Sequence, residues 1–168
     1  MAVVTVKSSL ITARDSLPPG KSTLSTGPRR LYDQADTVEV TNGDSIASKF
    51  ILGSVPSSAS MRELIVLCDA ITGAAADFGL YRTTQDGGAV VDADLFGSAV
   101  SLATAITTGN NILHESGVLD IANLAKPLWQ ILGLSSDPAV MYDVVATLTA
   151  AATASGTLTA RISYAQGN

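Results

Sequence analysis

The sequence predicts an all-β domain, an antiparallel β-sandwich or jelly roll with one short helix and an extended N-terminal arm. Three observations point there. Short runs of alternating apolar and polar residues recur along the chain between clusters of turn residues, the pattern of strands that bury one face. Gly, Ser, Thr and Ala dominate, whereas helix-favouring Glu and Lys are scarce. Only one segment carries both a helix start and a helix stop signal. The 168 residues suit a single domain over 35–168, large enough to bury a core, with residues 1–34 left as the arm.

Taken in order, the arm has three prolines and no sustained period, so it takes its order from a partner. "TVEV" followed by Thr41-Asn42-Gly43-Asp44 reads as strand and turn, the Asn-Gly pair supplying left-handed backbone. "SIASKFIL" sets Ile46, Phe50 and Leu52 against Lys49, and 53–60 reads as a loop. The nearly continuous apolar run "MRELIVLCD" fits a central strand covered on both faces. "ADFGLYRT" places Phe78 and Leu80 on one face and Gly79 and Tyr81 on the other, ending at Gln85-Asp86-Gly87-Gly88. Over 89–108, Ala, Thr and Ser suit helix and strand alike; a turn at 92–96 and a strand at 99–105 fit.

"KPLWQILG" is the helix, about two turns, with Pro127 at its first position, Gly133 just past its end, and Leu128, Trp129, Ile131 and Leu132 as an apolar cover. "MYDVVATLT" sends Val144, Ala146 and Leu148 one way and Val145, Thr147 and Thr149 the other. "GTLTARISY" alternates most cleanly, with Leu158, Ala160, Ile162 and Tyr164 inward and Thr157, Thr159, Arg161 and Ser163 outward. The loop 150–156 is expected to close a terminal hairpin. The total is seven or eight strands.

The chain offers little for catalysis. Gly20-Lys21-Ser22-Thr23 resembles the end of a phosphate-binding loop, but the position of the first glycine holds Asp15, and Pro18 and Pro19 remove amides from the cradle. Gly27 and Pro28 then block the helix that should follow. Asp86, Asp92 and Asp94 lack the spacing and closing Glu of a calcium loop and read as turn carboxylates. His114-Glu115 has no G-x-S-x-G serine to serve. With one Cys and one His there is no intramolecular disulfide and no Cys/His metal set, and Cys68 reads as a small buried hydrophobe. No catalytic, metal or cofactor-binding residue is therefore expected. The longest apolar run is about five residues, far short of the roughly eighteen of a membrane span, and "MAVVTVKSSL" has no adequate signal-like core, so the expectation is a soluble, unexported chain.

Charge is uneven along the chain. Residues 1–32 hold Lys7, Arg14, Lys21, Arg29 and Arg30 against Asp15, a net of +4, while 33–168 hold five cations and fourteen anions, a net of −9. The cations are too spread for nucleic-acid binding and have no aromatic interleaving. An arm that docks on an acidic protein surface fits better. Its candidate contact residues are Lys21, Arg29 and Arg30 as cations and Leu31 and Tyr32 as apolar anchors, although Leu31 and Tyr32 read equally well as the start of the first strand.

The segments "VTNGDSIAS", "LCDAITGAAADFGLY", "GGAVVDADLFGSAVSL", "HESGVLDIANLAKPLWQILGL" and "DPAVMYDVVATLTAAATASGTLTARISY" together resemble the jelly-roll head decoration, or cement, proteins of tailed bacteriophages, over about residues 37–164. The resemblance implies a virion protein on the outer capsid surface, made in the host cytoplasm, that bridges major capsid protein subunits. It implies a homo-oligomer, a homotrimer first and a homodimer second, with no nucleic-acid or membrane partner. The competing readings are a tail, fibre or head-spike module that binds host glycan through aromatics such as Trp129 and Tyr81, and an enzyme built on Lys21.

Overall fold

Each strand pairs with the one that mirrors it in the sequence. The computed structural model describes Ser16 and residues 30–166, in which eight strands form: β1 (Arg30–Val40), β2 (Lys49–Pro56), β3 (Ser60–Cys68), β4 (Ala75–Arg82), β5 (Val90–Ser101), β6 (Ile106–Asn111), β7 (Met141–Ala150) and β8 (Gly156–Gln166). β1 pairs with β8, β2 with β7, β3 with β6 and β4 with β5, all antiparallel. β8 also pairs with β3 and β7 with β4, giving two four-stranded sheets ordered β1-β8-β3-β6 and β2-β7-β4-β5. This is the strand order of a jelly roll, a long antiparallel ribbon rolled into two facing sheets.

The inner faces are apolar by alternation. β8 contributes Leu158, Ala160 and Ile162, β3 contributes Leu64 and Val66, and the opposing sheet contributes Phe78, Leu80, Val144, Ala146 and Leu148, all at 0–1% exposure. The inward set read from β8 is the observed one, with Tyr164 half-buried at its end. Ser163 faces outward, as read, but is buried at the floor of the outer face, where Asp33 accepts its hydroxyl at 2.5 Å.

Several local expectations change. The segment 150–156 does not close a hairpin: β7 and β8 lie in different sheets, and β4–β5 is the one pair of consecutive strands joined edge to edge. The crossing is fixed by Gly43 N–H to Ala152 O, Ala152 N–H to Asp44 O and Thr153 N–H to Thr72 O, at 2.8–3.0 Å. Ile46 is not in a strand and is 63% exposed, because 45–48 forms a turn with Ala47 at φ 70°. β2 runs through Gly53 to Pro56 rather than ending in a loop, with a bulge between Ile51 and Gly53. The uncertain stretch 89–108 is the long strand β5, whose register slips between Asp92 and Gly97, followed by a short link to β6. β3 is central, as read, but its outer side chains Ile65 and Leu67 are only half-covered.

The helix α1 (Leu128–Ile131) is about one turn rather than two. Pro127 sits before it in extended backbone (φ −70°, ψ 156°), and Gly133 follows it at φ 71°. Leu128 N–H to Ala59 O and Trp129 N–H to Ser57 O tie it across the β2–β3 turn, so it caps one end of the sandwich. Val145, read as outward, is 2% exposed. It pairs with the side-chain-free Gly79, and Tyr81 reaches past it to bond Thr147 (hydroxyl to Oγ1, 2.9 Å), with the Lys49 ammonium 4.6 Å from the Tyr81 ring.

Candidate interaction surface

Lys21 and Arg29 lie outside the described residues; Arg30, Leu31 and Tyr32 open β1 at the edge of the first sheet. Directly paired residues of an antiparallel ladder share a face. Leu31 opposite Ala165 and Asp33 opposite Ser163 therefore face outward, whereas Tyr32 opposite Tyr164 sits on the inner side. Tyr32 stacks on Tyr164 with centroids 5.3 Å apart and planes 13° from parallel, and Arg30 lies 5.9 Å from the Tyr32 centroid. Tyr32 thus packs against Tyr164 while staying 36% exposed. Leu31 is 64% exposed.

Beside Leu31 the outer face holds a groove of about 610 Å³ lined by Asp33, Arg62, Glu63, Arg161 and Ala165. Arg161 projects from β8 between two acids, 3.1 Å from Glu63 and 3.8 Å from Asp33. These pairs are half-exposed and each contributes at most about 1 kcal/mol. The charges are balanced within the groove, two arginines against two acids.

A second feature adjoins the groove through Arg62, whose Nη1 donates to the Leu124 carbonyl at 3.5 Å. The loop 116–126 contains no strand or helix, yet it is hydrogen-bonded along its length. Asp120 Oδ1 accepts the N–H groups of Ala122 (2.9 Å) and Asn123 (3.1 Å), Asn123 Nδ2 donates to Val118 O (2.9 Å), and Lys126 donates to Asn123 Oδ1 (2.9 Å). His114 Nδ1 donates to Leu119 O, and Ser60 Oγ to Ala125 O at 3.3 Å. The result holds Val118 (43% exposed), Ile121 (93%) and Leu124 (43%) out toward solvent while Leu119 is buried. A hollow of about 350 Å³ lies at the base of Ile121, between His114 and Leu124, with Leu119 lining it. Sequence reading passed over this loop. The available signal was three apolar residues spaced three apart between Gly117 and Lys126, with no strand or helix alternation to bury them.

The remaining candidates are used structurally. Glu115 Oε2 accepts the Ser98 N–H at 2.6 Å and His114 Nδ1 bonds Leu119 O, so both members of the His114-Glu115 pair hold backbone in place. Cys68 is buried in β3, and burial pushes its thiol pKa up, as befits an unreactive core residue. Among the described residues, no three His, Cys, Asp or Glu side chains converge on a metal-sized site, and no helix is long and apolar enough to cross a membrane. Asp86 closes the Thr84–Asp86 turn through Thr83, and Asp92 and Asp94 sit in the irregular part of β5.

Partial burial raises the Asp92 pKa, opposed by the Asp94 N–H that its carboxylate accepts and reinforced by the Asp94 carboxylate nearby. The folded state therefore binds this proton more readily than the unfolded chain, and the ionised carboxylate is a cost at neutral pH that is relieved as pH falls through the raised value. Asp92→Asn is expected to stabilise the protein at pH 7 by no more than about 1 kcal/mol, the carboxylate being largely solvent-screened. The gain should vanish in acid; thermal melts of both proteins at pH 7 and pH 3.5 check it.

No family model matches the chain, and no curated protein matches it. Among solved structures, a chain of the Cyanophage Pam1 capsid asymmetric unit has a similar fold, with a TM-score of 0.50 at 14% identity over 90% of this chain and 96% of that one.

Proposed function

We propose that this protein is a structural component of a bacteriophage head, a decoration or cement protein that binds the outer capsid surface and bridges major capsid protein subunits. The observation that carries this reading is the jelly-roll likeness to a capsid chain along nearly the whole length of both proteins. The surface supports it as well: an exposed Leu31, a charge-alternating groove and an apolar loop suit adhesion.

On this reading the arm is a strap. Lys21, Arg29 and Arg30 provide charge for acidic patches on the shell, and Leu31 provides an apolar anchor where the strap joins the sandwich. A closed oligomer would multiply weak single attachments into durable binding.

Removing residues 1–29 should leave the sandwich folded and weaken binding to expanded heads by at least about tenfold, since it removes four of the cations that precede Leu31. Co-sedimentation with purified heads measures this, and binding at wild-type affinity would remove the arm from the interface. A cryo-EM map of decorated particles would test the location; density at the tail, with glycan binding by the isolated protein, would favour a host-recognition module instead.

A further inference from the structure

We propose that Asn42 is a modification site, converted without an enzyme to aspartate and isoaspartate by attack of the Gly43 backbone nitrogen, and that the sheet crossing at 151–153 gates the conversion. Asparagine is among the thermally labile residues, and a following glycine, with no Cβ beside the attacking nitrogen, leaves ring closure unhindered. Asn42 and Gly43 are both exposed in the turn after β1, and nothing lies within 4 Å of where a Cβ on Gly43 would stand. In the reaction, Gly43 N gives its proton to a solvent base and bonds Asn42 Cγ. The Cγ–Nδ2 bond breaks, and the side-chain nitrogen leaves as ammonia. Water then opens the cyclic imide at one carbonyl to give aspartate or at the other to give isoaspartate, with nothing oxidised or reduced.

The fold keeps that nitrogen engaged. Gly43 N–H donates to Ala152 O at 2.9 Å, and Asn42 N–H donates to Ser155 Oγ at 2.9 Å. Asp44 N–H to Thr41 O (3.0 Å) and Thr41 N–H to Asp44 Oδ2 (2.8 Å) close the turn around them. Gly43 N must leave Ala152 before it can lose its proton and swing onto Cγ. Conversion in the folded protein therefore runs through local opening of the crossing, and its rate scales with the population that is open. The product does not fit back. Isoaspartate lengthens the main chain by a methylene just ahead of Gly43, which takes its N–H out of line with Ala152 O, and either product sets a second carboxylate near Asp44. A transient opening thus becomes a permanent mark.

This site does not rest on the capsid reading. The full chain, held at mildly alkaline pH with and without guanidinium chloride, is digested with trypsin, and mass spectrometry follows peptide 31–49, in which Asn42 is the one asparagine. Labelling by an isoaspartyl methyltransferase counts the isoaspartate. Conversion should be at least about tenfold slower in the native protein than in denaturant. Ser155→Ala, which removes the acceptor of Asn42 N–H, should speed native conversion by at least about threefold and leave the denatured rate unchanged. Gly43→Ala, compared in denaturant so that strain at φ 97° does not enter, should slow conversion. Equal native and denatured rates in protein shown to be folded by circular dichroism, or a native rate indifferent to Ser155→Ala, overturn the gate. A denatured rate indifferent to Gly43→Ala overturns the site.

Discussion

Gly79→Ala should destabilise the protein by about 3 kcal/mol, lowering its melting temperature by roughly 6–12 °C. A single methyl group has this effect because of what lies above Gly79. A Cβ there would be 2.1 Å from the Asp92 carbonyl oxygen and 2.3 Å and 2.4 Å from the Ala93 carbonyl carbon and oxygen. These are backbone atoms, not the flexible tip of a side chain, so the strand itself must move. The reason they are so close is the register slip of β5, where Leu80 pairs with Asp92 and Phe78 pairs with Gly97, leaving the intervening β5 residues to arch over β4. Shifting that arch would disturb Leu95 and Phe96, which it buries at 1% and 0% exposure. Differential scanning calorimetry and denaturant unfolding measure the loss. A melting temperature within about 2 °C of wild type would mean that the arch is soft and that Gly79 does not define the β4–β5 edge.

The same stretch shows what the sequence carried and what it withheld. Alternation assigns faces, and where it was clean, as from Leu158 to Ile162 or at Phe78 and Leu80, the inward residues were correct. Alternation does not assign neighbours. The Ala-, Ser- and Thr-rich segment between β7 and β8 is equally able to make a tight turn or to cross between sheets, and the bonds that decide it come from Gly43, Asp44 and Thr72, far away in the chain.

Bulges break the period that reveals a strand, which is why β5 read as a turn followed by a strand and why β2 was cut short at Gly53. Of the candidate contact residues, those at the start of β1 were visible as apolar or charged positions near the arm. Whether each packs or projects depends on its pairing with β8, which turns Tyr32 inward and Leu31 outward. The loop around Ile121 was missed because its order comes from side-chain hydrogen bonds and not from a repeating backbone pattern.

Where the chain is cut should separate recognition from folding. Removal of residues 1–29 keeps every strand of the sandwich, and the melting temperature should stay near that of the full chain. Removal of residues 1–34 takes the first five residues of β1, Arg30–Val40, and should cost about 3 kcal/mol, or roughly 6–12 °C. The contributions are identifiable. The Tyr32–Tyr164 stack provides about 0.5–1.5 kcal/mol beyond its apolar burial. Gln34 Nε2 to Ser54 O, 2.8 Å, joins the two sheets at their shared corner, and Ser163 Oγ to Asp33 Oδ1 satisfies a buried hydroxyl; each is worth about 1 kcal/mol.

The longer cut would also unpair β8 from Ile162 to Gln166, opening an edge that can recruit another chain, so concentration-dependent aggregation should accompany the lower melting temperature. Equal melting temperatures for the two truncations would show that the first half of β1 is dispensable. With the difference present, head binding lost by the shorter cut reports the arm, whereas binding lost only by the longer cut reports the damaged sheet.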